Sequence, residues 1–358
     1  MREKAIGLLK ELTEAHGAPG FEDEVRAIFA DELADTGEIS TDGNGSVFCE
    51  RGEGPRVMLA GHMDEVAFRV RNITPDGFIQ FVTLGGWWPH TLLAQRVEVR
   101  ARDGRKILGV VSSKPPHFLP ESERKNVLSI GQMFIDVGAT SQSDLEARHG
   151  IRVGDPIVPL TPFSVMENND LFLAKAFDNR VGMACAIQAC QTLAATGHPN
   201  HLISCGTVQE EVGVRGATTA AVHAKPDVVI VLEGAPADDT PGFNRGESQG
   251  AIGRGVQIRM QDPTAIMNPA LVDLAVSVAE EEGIPYQVTV RSSGGTDARA
   301  FQLSGCGVPV IVLGVPSRYI HSHNSMIDIN DYLAMVNLAM AMVQRLDQTE
   351  VEGLTTFL

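Results

Sequence analysis

The run LISCGTVQEEVGVRGATTAAVHAKPDVVIVLE, Leu202 to Glu233, decides the fold. Leu202 to Gln209 reads as an apolar strand, Ala217 to His223 as a helix and Val228 to Leu232 as a second apolar strand, with Gly-containing turn chemistry between. The alternation continues outward on both sides. A helix over Arg180 to Ala195 precedes the run; strand Ala251 to Met260, helix Pro269 to Glu282, strand Tyr286 to Val290, helix Asp297 to Leu303 and strand Val308 to Leu313 follow it. A last helix occupies about Asn330 to Leu346. Such alternation predicts an α/β fold: a mixed central sheet covered by helices on both faces, with ligands at the carboxyl ends of the strands.

Two amphipathic helices open the chain, over residues 2 to 15 and Glu22 to Asp35, split by the turn cluster Gly17-Ala18-Pro19-Gly20. Between about 40 and 111 the period shortens to strands, among them Arg56 to Leu59, Val66 to Ile73, Phe78 to Thr83 and Arg96 to Arg100. This strand-rich block interrupts the α/β pattern and reads as an insertion. The expected organisation is a discontinuous catalytic domain, residues 1–69 and 164–358, holding an inserted small β domain at 70–163.

Composition narrows the function classes. The 358 residues suffice for two or three domains of about 150, and 43% hydrophobic with 21% charged residues is ordinary globular usage. With 29 Lys and Arg against 45 Asp and Glu, the net charge of −16 repels phosphate backbones and anionic headgroups, so neither nucleic acid nor membrane is an expected partner. Apolar runs such as Val308 to Val315 are strand-sized, short of the roughly 18 residues a bilayer span needs. The start, Met1-Arg2-Glu3-Lys4-Ala5, lacks the apolar core of a secretory signal, and a cytoplasmic location is the expectation. Cys49, Cys185, Cys190, Cys205 and Cys306 show no CxxC spacing and are expected to be buried small hydrophobes.

The chemistry-bearing residues fall at element ends. Gly61-His62-Met63-Asp64-Glu65 follows the strand Val57-Met58-Leu59-Ala60, so His62 and Asp64 emerge on one side, an imidazole with a carboxylate able to hold its other nitrogen. A surface loop would look the same. Asp178 stands at a helix start, where it serves either as an N-cap or as a carboxylate shared between cations. Glu210 and Glu211 end one strand and Glu233 another, while His321 follows the strand Val308 to Leu313. His323 is its rival two residues on. Together His62, Asp178, Glu211, Glu233 and His321 supply five N/O ligands with Glu210 as a spare carboxylate. That donor set describes a two-metal hydrolase with Asp178 shared and the ions about 3.5–4 Å apart.

Five segments in the same order carry a specific resemblance: Gly61-His62-Met63-Asp64-Glu65, Phe177-Asp178-Asn179-Arg180, Glu210-Glu211-Val212-Gly213-Val214-Arg215-Gly216, Gly295-Thr296-Asp297 and Arg318-Tyr319-Ile320-His321-Ser322. They resemble the M42 family of dinuclear metalloaminopeptidases, and the likeness spans nearly the whole chain. The resemblance implies that His62 and Glu233 hold one ion, Glu211 and His321 the other, and Asp178 both. It further implies a bridging water, Glu210 as general base, Asp64 as the group orienting His62, and a cis peptide between Asp178 and Asn179. Zinc or cobalt, with manganese as a third candidate, would fill the two sites and peptides would be the substrate. The sequence departs from the family at Glu233, where an aspartate is common, and at Arg299, where a small residue is commoner and the arginine would add a cation near the site.

The inserted block, with Gly85-Gly86-Trp87-Trp88-Pro89-His90, resembles the family's β domain for self-association, from dimer to tetrahedral dodecamer; two locally packed tryptophans are the plainer reading. Two rival functions remain. Paired acids Glu210 and Glu211 would suit a metal-independent glycosidase of the endoglucanase kind, which needs carboxyls about 5–10 Å apart and no ion. A non-catalytic scaffold would have lost a ligand or the base, whereas all six positions keep competent side chains. Arg254, Arg259, Asp238 and Arg299 are candidate selectors of the substrate's first side chain.

Overall fold

The computed structural model describes residues 2–358. Nine strands form the central sheet. Its middle is four parallel strands in the order His201–Thr207, Arg56–His62, Val228–Pro236 and Val310–Ser317. Antiparallel strands extend it at both sides: Val47–Arg51 and Glu38–Thr41 beyond the first, Val256–Asp262 beyond the last. The parallel middle matters most, because it brings four strand ends to one edge. In register, Thr207 lies opposite His62 and Glu233 opposite Gly314.

Helix Phe177–Thr196 packs on this sheet and is apolar nearly all round, which is why it is buried between the sheet and helices Arg2–Glu14, Asp23–Leu33 and Ile329–Arg345. Helices Arg215–Ala224 and Ala298–Gln302 pack together on the opposite face. The long helix approaches the sheet through glycines. A Cβ at Gly61 would lie 2.8 Å from the Gly182 carbonyl carbon, and one at Gly234 would lie 2.9 Å from the Asp178 backbone. A Cβ at Gly182 would strike the Leu232 carbonyl oxygen and the Asn179 amide.

The insertion is a closed six-stranded antiparallel barrel, in the order Ala67–Ile73, Ile79–Leu84, Met133–Asp136, Lys106–Ser113, Arg96–Arg100 and Pro156–Pro159. It has its own core, around Phe68, Val97, Val99, Val111, Ile135 and Ile157. Ion pairs tie it to the chain's start: Arg100 grips Asp23 bidentately at 2.6–2.7 Å and Lys106 meets Glu24 at 2.8 Å. A third, three-stranded sheet joins Leu171–Ala174 to Ser325–Asp328.

Several boundaries differ from expectation for local reasons. The strand predicted from Ala251 begins at Val256, because Gly253 and Gly255 donate their N–H groups to buried Asp331 at 2.7 and 2.6 Å instead of to a neighbouring strand. The strand expected to stop at Leu232 runs on to Pro236, so Glu233 lies inside it rather than after it. A short helix, Gln348–Gly353, follows the last predicted one. Of the cysteines, Cys306 is exposed and the other four are buried. Among the described residues no helix is long and apolar enough to cross a membrane.

Candidate metal centre

Asp178 is held by its backbone and not by a capping role. It has φ −83° and ψ 102°, outside the helical region, and makes no N-terminal cap hydrogen bond; its peptide to Asn179 is cis. Asn179 does the fastening: its amide nitrogen donates to the Leu232 carbonyl at 2.7 Å, and its amide oxygen accepts from Gly182 and Gly234 at 3.0 and 3.1 Å. Helix start and sheet are thereby locked, and the Asp178 carboxylate is left free to face outward from the strand ends.

Its two oxygens face two different imidazoles. Oδ1 is 3.2 Å from His62 Nε2 and Oδ2 is 3.4 Å from His321 Nε2. Glu233 Oε2 is 3.8 Å from His62 Nε2, and Glu211 Oε2 is 3.4 Å from His321 Nε2. Ligand atoms of His62, Asp178 and Glu233 lie within 4.8 Å of one another, as do those of Asp178, Glu211 and His321. His62, Glu210 and Glu211 are grouped as closely, with Glu210 Oε2 3.9 Å from His62 Nε2. The longer Glu233 side chain therefore still reaches. His323 does not join the cluster: it is buried against Trp87, ring centroids 5.2 Å apart, with neither nitrogen partnered.

Asp64 faces both the Glu210–Glu211 turn and His62. Its carboxylate accepts the N–H groups of Glu210 and Glu211 at 2.9 and 3.1 Å, pinning the turn that presents both acids. His62 Nδ1 lies 3.5 Å from that carboxylate but 3.0 Å from the Asp64 carbonyl oxygen. A carbonyl only accepts, so Nδ1 carries hydrogen and Nε2 is turned to the cluster. Glu22 braces the same turn, accepting from Gln209 at 3.2 Å, where Gln209 has the left-handed φ of 56°.

The electrostatics are those of an anionic cage. Burial, reinforced by neighbouring carboxylates, pushes Glu211 up to about 8 and raises Glu210 and Glu233 well above the usual range, although His62 and His321 pull the other way. Burial is the largest single influence on the histidines and lowers them, yet hydrogen bonds to Asp178 together with the surrounding carboxylates outweigh it, lifting His321 to about 9 and His62 well above its ordinary value. Glu211 Oε1 is buried without a partner. Crowded carboxylates, two imidazole nitrogens and an orphaned oxygen fit hard or borderline divalent cations, which would neutralise the excess charge.

Around these groups lies a cavity of about 330 Å³, walled on its far side by Arg259, Arg291 and the segment Ser293 to Thr296. Of the proposed selectors only Arg259 lines it; Arg254 and Arg299 are exposed elsewhere, so Arg299 adds no cation to the cavity wall, and Asp238 serves Arg291 at 2.8 Å. Sequence reasoning missed Arg291 and also a buried triad beneath the site. Lys175 Nζ contacts both Glu65 oxygens at 2.6 and 2.7 Å, and Arg180 contacts the same carboxylate at 3.1 Å. Glu65 and Arg180 stand inside quoted motifs, but nothing in their spacing names Lys175 as the partner.

A profile described as M42 glutamyl aminopeptidase matches residues 44–338. The chain belongs to the M42 peptidase family. A TET aminopeptidase of a Thaumarchaeota archaeon from marine sediment superposes with a TM-score of 0.96 at 41% identity, covering 99% of both chains. The glutamyl aminopeptidase of Lactococcus lactis subsp. cremoris (strain MG1363) is 34% identical over 355 residues, 98% of each chain. Pyrococcus horikoshii TET1 peptidase, which can assemble into a tetrahedron or a large octahedral shell, superposes at 0.85 with 31% identity, covering 96% of this chain and 100% of that one. The M42 fold, central mixed sheet plus small barrel, is thus common to this chain and solved TET enzymes.

Proposed function

We propose that this M42 chain is a two-metal aminopeptidase that removes N-terminal residues from peptides. The observation that carries the reading is the Asp178 carboxylate, whose two oxygens face His62 and His321 separately. His62 with Glu233 would hold one ion and Glu211 with His321 the other, Asp178 serving both. Zinc or cobalt, or else manganese, would when bound polarise the scissile carbonyl and acidify a water. The protein's own work surrounds that chemistry. Glu210 lies in the cavity wall beside the proposed ligands, where its carboxylate would take a proton from the attacking water and return it to the leaving amine. The Asp64 carboxylate holds Glu210 in place through its backbone N–H.

Exopeptidase action follows from size and charge. A cavity of about 330 Å³ admits roughly one residue, and its carboxylates favour a cationic free amino terminus over an acylated one. The barrel, expected over residues 70–163 but with a first strand that begins at Ala67, is proposed as the self-association unit, consistent with exposed Trp88 and Phe118 on its surface. Family membership and the imidazole ligands favour peptide over glycoside hydrolysis.

One short peptide, free and N-acetylated, offered to metal-stripped protein before and after zinc, cobalt or manganese is restored, tests the proposal. Release of the first residue from the free peptide alone, only with metal present, is the expected result. Equal cleavage of both peptides, or hydrolysis that resists chelation, would overturn it.

A further inference from the structure

We infer that Trp87 is a positioning residue for His321, fixing through the Gly86 carbonyl the affinity of one half of the metal centre, an inference resting on the two-ion reading above. His321 needs outside help. Its side chain is 40% exposed and its backbone is left-handed at φ 57°, beside Tyr319 at φ 63°, so neither packing nor a regular element sets the ring. Its Nδ1 has one hydrogen-bond partner, the Gly86 carbonyl at 3.0 Å, which lies across the domain boundary in the barrel. Because that oxygen can only accept, Nδ1 carries the hydrogen and Nε2 is directed at Asp178 and Glu211, both at 3.4 Å.

Two glycines ease this close approach of the barrel backbone. A Cβ at Gly86 would sit 3.2 Å from His321 Nδ1, and one at Gly85 would sit 3.2 Å from Glu211 Oε2. A glycine pair alone would be mobile, and Trp87 supplies the anchor. Its indole stacks on Phe68, centroids 4.6 Å apart and planes 25° apart, and Nε1–H donates to the Ala67 carbonyl at 3.1 Å. Phe68 is fully buried in the barrel core. The chain of support therefore runs Phe68, Trp87, Gly86, His321. His62 requires none of it, because its Nδ1 partner is the Asp64 carbonyl two residues on.

The test is calorimetric titration of zinc into metal-stripped wild type, Trp87→Ala, Trp87→Phe and Gly86→Ala. Wild type should take two ions. Trp87→Ala should weaken one of them by about 10–100-fold, the usual cost of losing a ligand's outer partner, and leave the other unchanged. Trp87→Phe keeps the ring on Phe68 and should recover most of the loss, while Gly86→Ala should weaken the same site by pushing the imidazole. The two milder variants carry the decision should Trp87→Ala not fold. Two unchanged sites in Trp87→Ala and Gly86→Ala, or equal weakening of both sites, would overturn the inference. Wild type that binds fewer than two ions would instead overturn the metal-centre reading on which it rests.

Discussion

His62 and His321 are one residue type in opposite settings. His62 ends a central strand, has 2% of its side chain exposed, and is oriented by its own turn. His321 sits in an irregular segment, is 40% exposed, and is oriented by a residue 235 positions away. The first half of the proposed centre draws on local chain geometry; the second draws on a contact between barrel and sheet. Two similar distances to Asp178 conceal this, and the halves should respond differently to damage.

The largest expected effect lies on the His62 side. Glu210 is 3.9 Å from His62 Nε2 and competes geometrically with Glu233 as a ligand. Glu210→Gln should lower kcat by about 10³-fold, within the range for losing a general base, while two zinc ions remain by elemental analysis. Loss of an ion in that variant would make Glu210 a ligand and redraw the buried half.

Next comes the triad beneath the same half. Lys175→Met strands Glu65 with a single cation in a fully buried place, and the metal-free protein should lose about 3–5 kcal/mol in denaturant unfolding. Because Glu65 follows Asp64 directly, the weakened zinc site in this variant should be the one that Trp87→Ala spares. Identical affinity profiles for the two variants would erase the distinction between the halves.

The smallest effect concerns the seam between barrel and sheet. His16 is 1% exposed with both ring nitrogens unpartnered, and burial, aided by Lys175, Arg100, Lys106 and Arg180, holds its pKa well below 6.5. A folded pKa below the unfolded one means stability is full above about 6.5 and falls as pH drops beneath it. Thermal melts between pH 8 and 5 should show this decline, and His16→Gln should flatten it. An unchanged slope would remove His16 from the seam's acid response.

Much of this was legible in the sequence where adjacency does the work. The alternation around Leu202 to Glu233 gave the sheet because apolar runs of strand length between helical patterns have few other solutions. His62, Asp178, Glu210, Glu211, Glu233 and His321 could be picked out because the predicted elements put each at or near an end, and although Glu233 lies inside its strand the fold gathers all six around one cavity. What stayed hidden depends on contacts between distant segments. Gly86 stands in the tryptophan segment, Lys175 falls in no predicted element and Arg291 just follows the predicted strand Tyr286 to Val290, and no periodicity links any of them to its partner. Asp64 shows the boundary case: its proximity to His62 was readable, but its grip on the Glu210–Glu211 backbone was not.

The glycine contacts between the long helix and the sheet have a consequence for how this protein can change. At Gly61, Gly182 and Gly234 even one added methyl group meets backbone rather than a pliable side chain. In a saturation library scored for folded, zinc-loaded protein, these three positions should form a stripe as intolerant as the proposed ligands, though none lies where it would touch an ion. Variation in metal preference would then have to come from the wall opposite, at exposed Ser293 rather than at its neighbours, since Gly294 has φ 80°, a Cβ at Gly295 would sit 2.8 Å from Thr264 and Thr296 is buried.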